Sequence, residues 1–238
     1  MKGPYGFELS DNCQNCKLRG NGFFCQLPQA ALKDLDAIKF TSAYPAGAFL
    51  FIEKQTARGV YLLCEGEVKL SISSSEGKKL ILRIAKAGEV LGLLSALAGT
   101  PHELTAETLR PCQVAFIPRD GFLRLLAKHP EAYPIVASQL GTQYQLACEQ
   151  LRNLGLTASA PEKLAKLLLD FSVTGQQTKE GTRVKLPLTH EEIAEFIGTT
   201  RETVTRTLSE FRSQHLVELR GSTLVIEDRK ALEEFVTV

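Results

Sequence analysis

Apolar residues fall in short runs between residues 40 and 118. Gly59–Cys64, Glu67–Ser73 and Lys79–Ile84 are rich in Val, Leu, Ile and Tyr, with turn signals at Glu65-Gly66 and Glu76-Gly77. Val68, Leu70 and Ile72 alternate with Lys69, Ser71 and Ser73, the period of two of a half-buried strand. Leu104–Leu109 and Cys112–Ile117 extend the series. Many short antiparallel strands joined at glycines predict a β-barrel of the jelly-roll kind. Ahead of them, residues 1–27 are loop-like, and a short helix is predicted over Pro28–Leu35. From about 119 to 156 the period becomes helical. Tyr133, Ala137, Leu140, Tyr144, Ala147, Leu151 and Leu154 are spaced 4-3-4-3-4-3, a narrow seam that suits a helix pairing with its own copy. The competing reading is a long helix packed on its own barrel.

A second domain begins near residue 157. Thr157, Ser159 and Pro161 precede a helical pattern over Glu162–Phe171, and the polar stretch Ser172–Gly181 reads as a loop. Thr189 with Glu192 makes a capping box for a helix to about Phe196, and Thr199 with Glu202 makes a second one, for a helix to about Ser213. Ala194, Gly198 and Val204 occupy positions 5, 9 and 15 of this unit. A small residue at the first lets two helices approach, glycine at the second supplies a positive φ, and an apolar residue at the third locks the helices together. That is the pattern of a helix-turn-helix, whose second helix enters the DNA major groove. Arg201, Glu202, Thr205 and Arg206 lie on the predicted outer face. Arginine bonds guanine O6 and N7 bidentately, and glutamate accepts from cytosine N4. Leu216–Glu218 and Thr223–Ile226, around Arg220-Gly221-Ser222, read as a hairpin wing.

The fold class expected is α+β: barrel, long dimerisation helix and C-terminal winged helix-turn-helix. The boundaries are 1–27 for a cysteine-containing segment, 28–127 for the barrel, 128–156 for the helix and 157–238 for the DNA-binding domain. Composition adds little. The chain has 238 residues, 44% apolar and 23% charged, with net charge +1, as in ordinary globular proteins. Residues 158–238 hold eleven Lys and Arg against thirteen Asp and Glu, net −2, so a strongly basic footprint is missing. This keeps open a second function, a regulatory ligand- or metal-binding module that acts through protein contacts without specific DNA binding. The uncharged run between Glu131 and Glu149 carries Pro134 and several glutamines, unlike a membrane span, and Met1–Asn12 lacks a signal-peptide core. The expected location is the cytoplasm. No nucleophile elbow, phosphate-binding glycine loop or His-Glu zinc motif occurs, so the expectation is not an enzyme.

Thr200-Arg201-Glu202-Thr203-Val204-Thr205-Arg206 resembles the recognition helix of the Crp/Fnr family of transcription regulators. Upstream, Gly66-Glu67-Val68, Gly77, Gly88-Glu89-Val90-Leu91-Gly92 and Thr105-Ala106-Glu107 resemble the family's cyclic-nucleotide-binding-like barrel. The resemblance implies a homodimer on a pseudo-palindromic operator and contact with RNA polymerase. Arg201 and Glu202 with Arg206 are similar to members that read TGTGA-type half-sites, although Thr205 replaces a smaller residue or Ser. Members that bind cyclic AMP use a glutamate for the ribose and an arginine for the phosphate. The matching positions here are Leu93 and Leu104, so cyclic AMP is not the expected effector.

Cys13-x2-Cys16-x8-Cys25 resembles the N-terminal cysteines of oxygen-sensing members, which ligate a [4Fe–4S] cluster with a fourth, barrel cysteine. The last spacing is longer than in those members, and the fourth position holds Ala115. Cys112 is the first candidate for a fourth ligand, yet three residues along a straight strand place it on the opposite face. A bulge, Cys64 or Cys148 are the other ways to complete the set, although free cysteines like these two are commonly buried core thiols. Three readings stay open: an iron–sulfur cluster, zinc or thiol redox switching, or reduced thiols that pack the segment. His102 follows Pro101 in a predicted loop and reads as solvated, with haem ligation, known in carbon-monoxide-sensing relatives, the minor alternative. The signal expected is therefore redox or oxygen, or a small effector.

Overall fold

The computed structural model describes residues 4–6, 12–20, 22, 24–156 and 159–236. Thr157, one of the helix-start signals, lies outside them. The chain forms two compact units, Met1–Lys78 with Leu82–Ala147, and Lys79–Ile81 with Cys148–Val238.

The first unit opens with 3-10 turns at Cys13–Asn15 and Phe24–Gln26, then helix α1 (Gln29–Ile38). Strands β1 (Phe40–Tyr44), β2 (Phe49–Phe51), β3 (Gly59–Glu65), β4 (Glu67–Ser73), β5 (Lys79–Lys86) and β6 (Val90–Leu91) follow. A short helix, α2 (Leu93–Ala98), then precedes β7 (Thr105–Thr108), β8 (Cys112–Pro118) and α3 (Arg119–Lys128). The strands make two four-stranded sheets, in the orders β1-β8-β3-β6 and β2-β7-β4-β5. One core lies between the sheets and includes Leu50, Leu63, Val68, Leu70, Leu91, Ala106, Cys112 and Val114. The other covers the outer face of the first sheet, where Val60, Leu62, Ala115 and Ile117 meet Cys13, Phe24, Leu32, Phe122 and Val136. Strands β3 and β8 are thus buried on both faces, which explains their unbroken apolar runs.

The alternation along β4 predicts a half-buried strand, but two of its three alternating polar positions are covered too, and only Ser73 is exposed. Lys69 and Ser71 are buried. Lys69 stands opposite Glu107 in the β4–β7 register and pairs with it at 3.0 Å. A cross-strand partner is what allows a charge to sit there.

Helix α4 (Tyr133–Gly155) is a single helix of 23 residues and contributes to both units. One of its faces enters the outer core through Val136, and Gln139 Nε2 donates to the Val90 carbonyl at 2.6 Å.

The second unit contains α5 (Ala160–Ser172), β9 (Gln176–Thr178), β10 (Gly181–Lys185), α6 (His190–Ile197), α7 (Arg201–Ser213), β11 (Val217–Arg220), β12 (Thr223–Ile226) and α8 (Arg229–Glu234). The loop expected over Ser172–Gly181 contains β9, an edge strand paired with β10. The sheet order is β11-β12-β10-β9. Reciprocal capping boxes open α5 (Ser159 with Glu162) and α6 (Thr189 with Glu192). The box expected at Thr199 and Glu202 does not form. Thr199 N–H closes the preceding turn on the Ala194 carbonyl, and Thr200, one residue later, caps α7 by accepting from Thr203 N–H.

Candidate nucleic-acid interface and thiol site

Gly198 ends α6 at φ 68°, ψ 44°, and its N–H bonds the Ala194 carbonyl. This left-handed residue turns the chain so that α7 packs back on α6. Ala194 and Val204 are buried where the two helices meet, and Thr207, Leu208 and Phe211 continue the inner face of α7. Arg201, Glu202, Thr205 and Arg206 are all exposed on its outer face. Glu202 is held below the usual carboxylate range by its own backbone N–H and by the Thr200 hydroxyl, so it stays an acceptor. Arg206 is only loosely tied, with Nε 3.9 Å from Glu210. The Thr205 hydroxyl donates to the Arg201 carbonyl at 3.0 Å and meets His190 Nδ1 at 3.0 Å, so the ring nitrogen is the donor there. His190, in the first turn of α6, thus ties that helix to the outer face of α7. In the β11–β12 wing, Arg220 is held by Glu218 at 2.6 Å and Glu180 at 3.1 Å.

The seam of α4 faces outward. Tyr133, Ala137, Tyr144, Ala147 and Leu151 are exposed, and Leu140 and Leu154 are half-buried. Tyr144 and Leu151 are 72% and 71% exposed. The alternative of packing on the barrel is met by a different face, that of Val136 and Gln139.

In the barrel, Leu93 is buried and Leu104 packs against the inner core. His102 is not solvated. It is 3% exposed, its ring stacks on Phe51 at 3.9 Å, and its Nδ1 has no partner. Burial holds its pKa below the ordinary histidine value.

Cys13 sits in a turn capped by Asn12, with its N–H on Asp36 at 3.0 Å. The Lys39 ammonium, 3% exposed along its side chain, bonds Cys13 Sγ at 3.0 Å and Asp36 at 2.7 Å. Burial nevertheless outweighs this partner and raises the Cys13 thiol pKa. Cys25 is buried, and its carbonyl accepts from Arg19 and from Gly20 N–H. Burial, then negative charge on Cys16 and Cys13, pushes its pKa up to about 11. Cys112 lies apart from this group. It belongs to the inner core, and its Sγ donates to the carbonyls of Arg110 at 3.1 Å and Glu67 at 3.3 Å. Ala115, three residues on, faces the Cys13 side instead, as strand alternation requires. Cys148 is half-buried and lies in the second unit. Among the described residues, no three His, Cys, Asp or Glu side chains close to metal-ligand geometry. The donors that do lie near one another are soft thiols, the type that suits zinc or an iron–sulfur cluster.

Two family profiles match the chain: a cyclic nucleotide-binding domain over residues 41–129 and a Crp-like helix-turn-helix domain over residues 162–235. The CRP-like cAMP-activated global transcriptional regulator of Mycobacterium tuberculosis is 28% identical over 204 residues, 85% of this chain and 89% of that protein. The chain belongs to the Crp/Fnr family.

Solved structures with this fold include FixK2 from Bradyrhizobium japonicum, with TM-score 0.73, 23% identity, and coverage of 84% of this chain and 98% of that one. The c-di-GMP-responsive regulator CLP of Xanthomonas campestris gives TM-score 0.75 at 19% identity, covering 84% of this chain and all of that one. At these identities the likeness is one of fold. As a Crp/Fnr protein the chain is a DNA-binding transcription regulator, and its relatives are regulators rather than enzymes. No helix among the described residues is long and apolar enough to cross a membrane.

Proposed function

We propose that this Crp/Fnr regulator acts in the cytoplasm as a homodimer paired along the α4 seam. It binds a pseudo-palindromic operator through Arg201, Glu202, Thr205 and Arg206, contacts RNA polymerase, and answers a redox or oxygen signal rather than cyclic AMP. The observation that carries the DNA-binding part is the outer face of α7, with base-reading side chains exposed on a helix locked by its inner face. Leucine at 93 and 104 removes the ribose and phosphate anchors and so disfavours cyclic AMP.

Cys13, Cys16 and Cys25 would hold a [4Fe–4S] cluster or Zn²⁺; a bound cluster supplies sensitivity to oxygen. The chain's own part is mechanical. Cys13, Phe24 and Leu27 share one core with Ala132, just before α4, and Val136, in its first turn, and Leu140 of the seam packs against it. Any change that reorders the cysteine segment alters what supports α4, and so biases pairing along the seam and the spacing of two recognition helices.

The test is operator binding by the Arg201→Ala variant against wild type, with every guanine of the half-site varied in turn. Loss of one bidentate contact costs about 1–3 kcal/mol, roughly 5- to 150-fold, and relaxes preference at one base. Unchanged affinity and unchanged preference would leave the module that works without DNA as the better account.

A further inference from the structure

We infer that Cys64, on β3, is the fourth ligand of the N-terminal cysteine site and stands in for the missing cysteine at Ala115. This rests on the reading that Cys13, Cys16 and Cys25 bind a soft metal centre.

The register carries the argument. Leu62 pairs with Ala115 and Leu63 with Val114, but the next partner of β8, Gln113, faces Glu65. Cys64 is the extra residue there, and the period of two along β3 keeps it on the face of Val60 and Leu62. Cys64 packs on the outer core with Val60, Leu62 and Cys13, the face to which Ala115 also points. It is thus two residues along from the position opposite Ala115, on the neighbouring strand and on the same side.

The segment that carries Cys25 comes to the same place. A Cβ on Gly22 would lie 2.9 Å from Gly88 Cα and 3.0 Å from Cys25 Sγ, so the cysteine loop rests against the turn between β5 and β6. That turn is tied to the residue before Cys64, since Gly88 N–H bonds the Leu63 carbonyl at 2.7 Å. Glycine at 22 is what permits the approach. Four thiolates are the ligand count of a structural zinc site or a cubane cluster. Coordination would deprotonate all four and displace Lys39 as the partner of Cys13 Sγ.

The experiment uses the full chain, purified without oxygen, as wild type and as Cys64→Ser, Cys64→Ala, Cys112→Ser and Cys148→Ser. Each is loaded with ferrous iron and sulfide, or separately with zinc alone, and assayed for metal, sulfide and visible absorption. Circular dichroism confirms that each variant is folded. Wild type, Cys112→Ser and Cys148→Ser should hold about four iron, or one zinc, per chain. Both Cys64 variants should lose the stable chromophore and bind zinc at least about tenfold more weakly. Cys64 variants that match wild type, or loss in Cys112→Ser instead, overturn the assignment while leaving the metal reading standing. A wild type that takes up neither metal overturns the metal reading, and the ligand role with it.

Discussion

The turn of the helix-turn-helix offers a quantitative test at Gly198. Its φ of 68° is a left-handed conformation that a β-carbon opposes, at a cost of about 1–2 kcal/mol. In Gly198→Ala the new methyl would sit 2.9 Å from Leu154 Cδ2, the far end of a flexible side chain, so the steric cost is small beside the backbone strain. Alanine also restricts the unfolded chain, which offsets about 0.4–1 kcal/mol. The net expectation is a loss of about 0.5–1.5 kcal/mol. For a unit of this size that lowers Tm by about 2–12 °C. Scanning calorimetry of the full chain, following the transition of the second unit, measures it. Asparagine tolerates left-handed backbone, so Gly198→Asn should fall between wild type and alanine. Gly155→Ala, at a glycine without positive φ and with open space around it, is the control and should not destabilise. If Gly198→Ala melts with wild type, or if asparagine costs as much as alanine, the backbone argument for this glycine is wrong.

Further outcomes concern the seam and the barrel. Tyr144→Asp combined with Leu151→Asp places charge on the two most exposed seam positions of α4; sedimentation should show a dimer become a monomer, and operator binding should fall with it. A double variant that still sediments as a dimer would move the interface elsewhere. Burial of His102 favours its neutral form and puts its folded pKa below the unfolded value of 6.5. The unfolded state therefore takes up a proton first as pH falls. The stability this neutral ring contributes is complete above pH 6.5 and is lost as the pH drops from there toward the folded pKa. Denaturant midpoints between about pH 7.5 and about 5 should show that loss in wild type and less of it in His102→Phe, which keeps the stack on Phe51.

What the sequence determined by itself was local. The β3, β4 and β8 runs, the capping boxes at Ser159 and Thr189, the turn at Gly198 and the outward face of α7 all depend on residues within a few positions of each other. Their periods and caps are legible without a fold. The same holds for the α4 seam, whose 4-3 spacing put one stripe on one side of the helix. Even there, Thr200 displaced Thr199 as the cap, because the turn consumed the Thr199 N–H.

Tertiary structure decided what lies across the sheet. Lys69 is buried because β7 sets Glu107 opposite it, and His102 is buried because its loop folds its ring onto Phe51. The cysteines show the same division. Alternation alone could say that Cys112 and Ala115 face opposite ways. Alternation within β3 likewise puts Cys64 with Val60 and Leu62, but only the packing of the N-terminal segment on that face puts Cys13 there as well. The period of two assigns each side chain a face of its strand, and no pattern within one strand records which distant segment will pack on that face.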